Sequence, residues 1–296
     1  MKKILVWALL CLIWGSTWLF IKVGLQGLNP ITFSSLRFLL ASTILGLVIL
    51  FARISLPRGR QELKLIIITG ILQFSINYST VFWGEKYVTS GLAALLQATI
   101  PVFGLIAARI YLPQEKITFR KLLGILLGII GLAVIFLEQL AIDNYAALAG
   151  SFAIVVGAFA AAFSSVLVKA KGKPIDPAAT LFTQMLIGLI PIVIFSLLFE
   201  GLPSFDKFTF PVIFSLLYLS VVGTIGAFWL YYWLLRQVES TKAMMISLVT
   251  PFIAVIFGAI FLDEQLNLQS MLGGLLIISS IGLIIFNRTK LNPTNA

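Results

Sequence analysis

From Ile4 to Ile21 the chain runs eighteen residues without a charged side chain, and Leu122–Leu137 and Asn267–Asn287 are similar uncharged runs. A hydrocarbon core about 30 Å thick takes roughly 20 residues of helix to cross. Within it each backbone N–H and C=O must find its partner inside its own segment, so every span is expected to be helical. With 60% of its 296 residues hydrophobic and 11% charged, the chain has too little polar surface for a soluble domain of that length. The fold class expected is an all-α integral membrane protein, with the lipid bilayer as its first partner.

The net charge of +10 raises nucleic acid as a partner. The basic residues, however, stand one or two at a time in short loops, which suits membrane topology and not a phosphate-binding face. No nucleic-acid partner is expected. One cysteine, Cys11, excludes an intramolecular disulfide, and with no histidine there is no metal-ligand set around it. No cofactor or metal is expected. The opening MKKILVWALLCLIWG has the charge and apolar run of a secretory signal. Yet Leu10 precedes Cys11 where lipoprotein processing wants a small residue, and the apolar run continues to Ile21, so it is read as a first spanning helix kept in the mature protein.

Charge and turn signals divide the chain into ten spans, near 4–22, 32–52, 64–84, 89–111, 118–137, 147–169, 178–199, 209–235, 240–262 and 267–287. With the N-terminus inside, seventeen Lys and Arg fall in inside segments and only Lys22, Lys86 and Lys207 outside, with Arg37 inside a span. Positive loops stay cytoplasmic. Both termini are therefore expected in the cytoplasm and the protein in the cell membrane, inner or plasma.

The chain also writes one element twice. IPVFGLIAARIYLPQEKITFRK, Ile100–Lys121, and TPFIAVIFGAIFLDEQLNLQSM, Thr250–Met271, are each an apolar helix with proline second and an acidic turn at the end. Only the first carries basic residues. Lys22, Pro30 and Arg37 share their spacing with Lys169, Pro177 and Gln184, and Trp83, Ser90 and Pro101 share theirs with Trp233, Ser240 and Pro251. Five helices per half put the copies in opposite orientations, which explains why the second sheds its positive charge. Two repeats are expected, 1–143 and 144–296, as inverted five-helix units of the kind found in secondary transporters.

WGSTWLFIK at Trp14–Lys22, LNPITFSSLR ending at Arg37, and the two Pro…Glu…Gly segments resemble the EamA family of the drug/metabolite transporter superfamily. The resemblance covers nearly the whole chain as two tandem units. It implies ten spanning helices, a central cavity between the halves, and transport of small metabolites, often export of amino acids or related compounds. The second unit departs from the pattern, with Ala161 and Ala162 where the first has Trp14 and Gly15.

Polar residues at mid-span are costly and so informative. On the third span Gln73, Asn77 and Thr80 share a face, with Ser75 and Tyr78 beside it; the stripe is either a cavity wall or interhelical glue. Gln97 and Thr99 precede Pro101, which cannot donate to the carbonyl of Gln97. Pro251 does the same to Ser247, with Thr250 next to it. Pro101 and Pro251 are candidate hinges or plain kinks. Trp14 and Thr17 on the first span, and Thr224, Trp229 and Tyr232 on the eighth, offer similar chemistry or ordinary packing. Arg37 either snorkels outward or bonds backbone carbonyls, or else clamps a carboxylate or phosphate. Glu115 is expected to pair with Lys116 or Arg120, and Glu264 to sit at a helix end. No acidic residue falls at mid-span, so no proton relay is visible.

The leading expectation is a secondary transporter moving a small neutral or zwitterionic metabolite by alternating access around the cavity. A facilitative channel, or an importer of sugars or nucleosides, is the alternative. An intramembrane enzyme fits poorly, because neither histidine nor a mid-span carboxylate supplies a base. The absence of a P-loop excludes a self-contained ATP-driven pump. Oligomeric state is left open, with a homodimer among the options.

Overall fold

The computed structural model describes residues 2–88, 90–137, 144–172, 175–261 and 268–285. Lys173, Glu264, Arg288 and Lys290 lie outside the described residues. Among those described, the chain is helical, without strands. The helices are α1 (Lys2–Gly24), α2 (Pro30–Phe51), α3 (Arg60–Gly84), α4 (Ser90–Gln97, then Ile100–Tyr111), α5 (Phe119–Ile135), α6 (Tyr145–Lys171), α7 (Pro177–Phe199), α8 (Phe210–Gln237), α9 (Ser240–Met244, then Ile246–Phe261) and α10 (Leu268–Ile285). Eight of them, α1–α4 and α6–α9, are long and apolar enough to cross a membrane; α5 and α10 are shorter.

Local chemistry starts these helices where the sequence places its prolines. Pro30 and Pro177 open α2 and α7, where the missing N–H costs nothing. The Asp176 carboxylate accepts from the N–H groups of Ala178 at 2.8 Å and Ala179 at 3.3 Å. Asn29 makes no side-chain cap on α2. Glu200, at the end of α7, supplies it instead, accepting from Ile31 N at 3.2 Å and Thr32 N at 2.7 Å. A carboxylate at a helix N-terminus also suits the helix dipole.

Neither α3 nor α8 is a regular α-helix. A π-helical stretch interrupts each, Ile71–Asn77 in α3 and Val221–Gly226 in α8, starting 150 positions apart. Such stretches widen the turn and shift the phase of everything beyond. α4 breaks at Ala98–Thr99, directly before Pro101. In α9 the break is not at Pro251, which lies within the helix Ile246–Phe261, but at Met245. There the Ser247 hydroxyl takes the Met244 carbonyl at 2.9 Å, and Leu248 N turns to Met245 O at 3.1 Å.

Packing follows a paired scheme. α5 lies along α10 and α2 along α7; α1 packs on α9 as α4 packs on α6, and α1 on α8 as α3 on α6. The α5–α10 contact depends on glycine. A Cβ at Gly273 would stand 2.5 Å from Gly131 O, and one at Gly131 would stand 2.7 Å from Gly273 O. Backbone therefore meets backbone. The ends of the bundle are defined by their neighbours. Lys3 donates to Gln237 O at 3.1 Å and Trp7 Nε1 to Lys242 O at 2.9 Å, so the starts of α1 and α9 share one end. Lys86 and Glu200, 3.6 Å apart, share the other.

Candidate functional site

The helices surround a cavity of about 220 Å³. Trp14, Thr17 and Trp18 reach it from α1, Arg37 from α2, Gln73, Asn77 and Tyr78 from α3, and Gln97 from α4. Ser165 comes from α6, Phe228 and Tyr231 from α8, and Ser247, Thr250 and Pro251 from α9. Ligand pockets for drug-sized molecules run to roughly 300–1,000 Å³, so this space suits a smaller molecule.

Arg37 is 3% exposed and does not snorkel. The π-helical stretch of α8 holds it. Its Nε donates to Thr224 Oγ1 at 2.8 Å and its Nη2 to Gly223 O at 3.3 Å. Gly223 O also accepts from Trp14 Nε1 at 3.2 Å, and Thr224 Oγ1 in turn donates to Leu219 O at 2.8 Å. Ser220 Oγ donates to the Arg37 carbonyl at 3.0 Å, which fixes α2 against α8. The guanidinium lies 5.5 Å from the Phe38 ring centre and 5.8 Å from that of Tyr78. Among the described residues no carboxylate pairs with it. A buried guanidinium with N–H groups to spare, facing a cavity, can take a carboxylate or phosphate from a ligand.

Close by, Asn77 Oδ1 is buried without a hydrogen-bond partner. It lies against Gly157 of α6, where a Cβ would stand 3.2 Å from it. Gln97 Nε2 donates to Ile154 O at 3.2 Å, which ties the first piece of α4 to α6. Trp14 stands edge-on to Phe228 and Tyr231, with ring centres 5.5 and 5.3 Å away. Tyr231 OH donates to Ser165 Oγ at 3.2 Å.

Seven sequence candidates are not on the cavity wall, Ser75 and Thr80 among them, whose hydroxyls donate to Gly188 O and Ile76 O. Thr224 is fully buried behind Arg37 and holds it in position. Thr99 returns its hydroxyl to Leu96 O at 2.6 Å. Pro101 is buried in α4 and does not reach the wall. Trp229 is 55% exposed on the outer surface of the bundle. The π-helical stretch shifts the phase of α8, so Phe228 and Tyr231 take the inward positions. Tyr232 OH donates to Gln184 Oε1 at 2.6 Å, away from the cavity.

Two acidic residues have roles the sequence did not assign. Glu115 does not pair with Lys116 or Arg120. Its carboxylate caps α9, accepting from Ser240 N at 3.0 and 2.9 Å and from Ser240 Oγ at 2.5 Å. Lys169 Nζ, from α6, lies 2.6 Å from it and also donates to Val238 O. The partner was missed because it is 125 positions away and only the helix packing brings it near. Beside this pair, Lys121 contacts Glu239 at 2.9 Å and Lys242 contacts it at 3.3 Å. Burial acts to raise the Glu239 carboxyl, but its bond to Lys121 and the charges of Lys121 and Lys242 outweigh it and hold the group below the usual carboxylate range. These contacts bind the ends of α4, α5, α6, α8 and α9 together. Glu85, one residue past the end of α3, lines the cavity near the opposite end, and burial pushes its carboxyl up to about 7. Among the described residues, Arg37 and Glu85 are the charged groups on the wall. Glu85 was passed over as a loop residue.

The EamA-like transporter family model matches residues 1–137 and 148–286. An uncharacterized transporter of Bacillus subtilis, YoaV, is 30% identical over 279 residues, covering 94% of this chain and 95% of its own length. A protein of Salmonella typhimurium named a probable amino-acid metabolite efflux pump is 28% identical, over 94% of this chain and 93% of its own. A crystal structure with 15% identity superposes with a TM-score of 0.79, over 95% of this chain and 96% of the other, and so shares the fold.

Proposed function

Because the chain belongs to the EamA-like transporter family, we propose that it is a secondary carrier that exports amino acids or closely related zwitterions by alternating access. The observation that carries this is the buried Arg37, paired with no carboxylate among the described residues, facing a cavity sized for a small metabolite. Arg37 takes the carboxylate, Asn77 the ammonium or amide, and the Trp14–Phe228–Tyr231 cluster the apolar side chain. The name of the Salmonella relative supports the substrate class.

The ten helices form two inverted five-helix repeats, 1–143 and 144–296, in the cell membrane. Three features support this: the pairwise packing maps onto itself when the halves are exchanged, the π-helical stretches start 150 positions apart, and the family model matches twice. Both termini are cytoplasmic. Lys3, Lys121, Lys169 and Lys242 gather at the end where the chain starts, in keeping with the excess of positive charge on cytoplasmic loops. The Glu115–Ser240–Lys169 cluster then closes the cytoplasmic side, and transport requires it to part.

The test is uptake of a labelled amino-acid mixture into proteoliposomes, with and without a preloaded amino-acid pool, for wild type and Asn77→Ala. Saturable uptake that preloading accelerates and the variant loses is the expected result. Wild-type vesicles that take up no amino acid under either condition overturn the substrate class.

A further inference from the structure

The two halves of the chain give the cavity unlike walls. Trp14 and Trp18 line it from α1; Ala161 and Ser165, each 147 positions further on, line it from α6. Matching positions thus carry two indoles in the first half and a methyl group and a hydroxymethyl group in the second. The wall is continuous between them. Trp14 stands edge-on to Tyr231, and Tyr231 OH donates to Ser165 Oγ at 3.2 Å. Ala161 lies one turn before Ser165 on the same face of α6. At Ala161 the wall therefore recedes.

The room left there is not taken up by a closer approach of α6, because that helix is already in contact with α3 on either side of it. One turn earlier, a Cβ on Gly157 would stand 2.6 Å from Thr80 Oγ1 and 3.2 Å from Asn77 Oδ1. Just beyond, Ser164 Oγ donates to Thr69 O at 3.0 Å.

Charge is as unevenly shared as bulk. The position 147 beyond Arg37 holds Gln184, which is fully buried and does not reach the wall. Its Oε1 accepts from Tyr232 OH at 2.6 Å and its Nε2 donates to Thr69 Oγ1 at 2.5 Å. Among the described residues Arg37 is the one cation on the wall. A bound amino acid is therefore oriented, with its carboxylate at Arg37 and its side chain running past Trp14 and Tyr231 towards α6.

We propose that Ala161 is the specificity-determining residue of this cavity. The end of the substrate's side chain rests on its methyl group, and the size of the residue at this position sets the largest side chain the protein carries. The substrates are amino acids with one carboxylate and a bulky apolar side chain. A second carboxylate would be buried on the α6 side without a partner, which is costly.

The inference rests on the carrier reading, and the experiment separates the two. Exchange of labelled alanine, phenylalanine and glutamate is measured in preloaded proteoliposomes for wild type and Ala161→Leu. A single methylene in an apolar pocket shifts selection by about tenfold or more, so the ratio of phenylalanine to alanine exchange is expected to fall at least that far in Ala161→Leu, through KM. The smaller Ala161→Val gives the same reading where Ala161→Leu yields no folded protein. An unchanged ratio, or glutamate exchanged by wild type as fast as phenylalanine, overturns the proposal. A second arm needs no substrate. In a Cys11→Ala background the Ala161→Cys thiol is offered methyl or benzyl methanethiosulfonate, and the mass of the full chain is read. Reaction with both is expected, because the space beyond residue 161 takes a phenyl-sized group. A thiol that refuses the benzyl reagent overturns the proposal. If wild type exchanges none of the three amino acids, the carrier reading fails, while the thiol still decides whether the wall recedes at Ala161.

Discussion

Arg37 owes its place to α8, not to its own helix. Its Nε bond goes to Thr224 and its Nη2 bond to a carbonyl in the π-helical stretch. Replacing Thr224 by valine keeps the shape and removes the acceptor. Hydrogen bonds to charged groups contribute roughly 1.5–3 kcal/mol, so Thr224→Val is expected to lower the melting temperature of the detergent-solubilised protein and weaken exchange about tenfold. Arg37→Lys keeps the charge but cannot present the same fork of donors. Its exchange rate is expected to fall further, with the apparent KM for substrate rising. Trp229→Ala, on the outer surface, is expected to leave exchange within about twofold of wild type, whereas Trp14→Ala removes an aromatic wall of the cavity and lowers it markedly.

At the level of the helices, two contacts invite substitution. Gly273→Ala puts a Cβ 2.5 Å from Gly131 O and 2.4 Å from Ile135 Cγ1, so α5 and α10 must move apart. Overpacking of this kind costs about 1–3 kcal/mol, and thermal unfolding monitored by tryptophan fluorescence is expected to shift down accordingly. Glu115→Gln weakens the cap on α9 and the bond to Lys169. In a Cys11→Ala background carrying Ala243→Cys on the cavity wall, labelling by a membrane-impermeant thiol reagent from the Lys3 side is expected to quicken. Unchanged labelling would mean that this cluster does not close the cavity. The helices themselves were legible from long apolar runs and from Pro30, Pro101 and Pro177, because length and φ restriction are local properties. The break at Met245 was not, since it depends on a serine hydroxyl outcompeting a backbone N–H. The π-helical stretches were not either, because no residue type demands them.

For the molecule as a whole, the proposed repeat rests on spacings offset by 147 to 150 positions, and α1 packs on α9 as α4 packs on α6. The candidate site was legible in part. The stripe of Gln73 and Asn77 and the residues before Pro251 do line the cavity, since mid-span polarity is itself the signal. Glu85 escaped because it lies past a helix end and looks like a solvated loop charge until the neighbouring helices enclose it. With the proposed topology, cysteine tags at Lys3 and Lys86 are expected to be labelled from opposite sides of a sealed membrane vesicle. Labelling from one side would overturn the inverted arrangement.

The π-helical stretch of α3 has a consequence for how such a wall could change in descent. An ordinary α-helix turns about 100° per residue, and Ile71–Asn77 winds more slowly than that. Loss of one residue there would let the helix close into regular turns while Tyr78 and Glu85 keep the face they now present, because the wider turn already absorbs one residue. The same loss in a regular part of α3 would turn all that follows by about 100° and carry both off the wall. A single codon deleted within Ile71–Asn77 is therefore the deletion this wall survives.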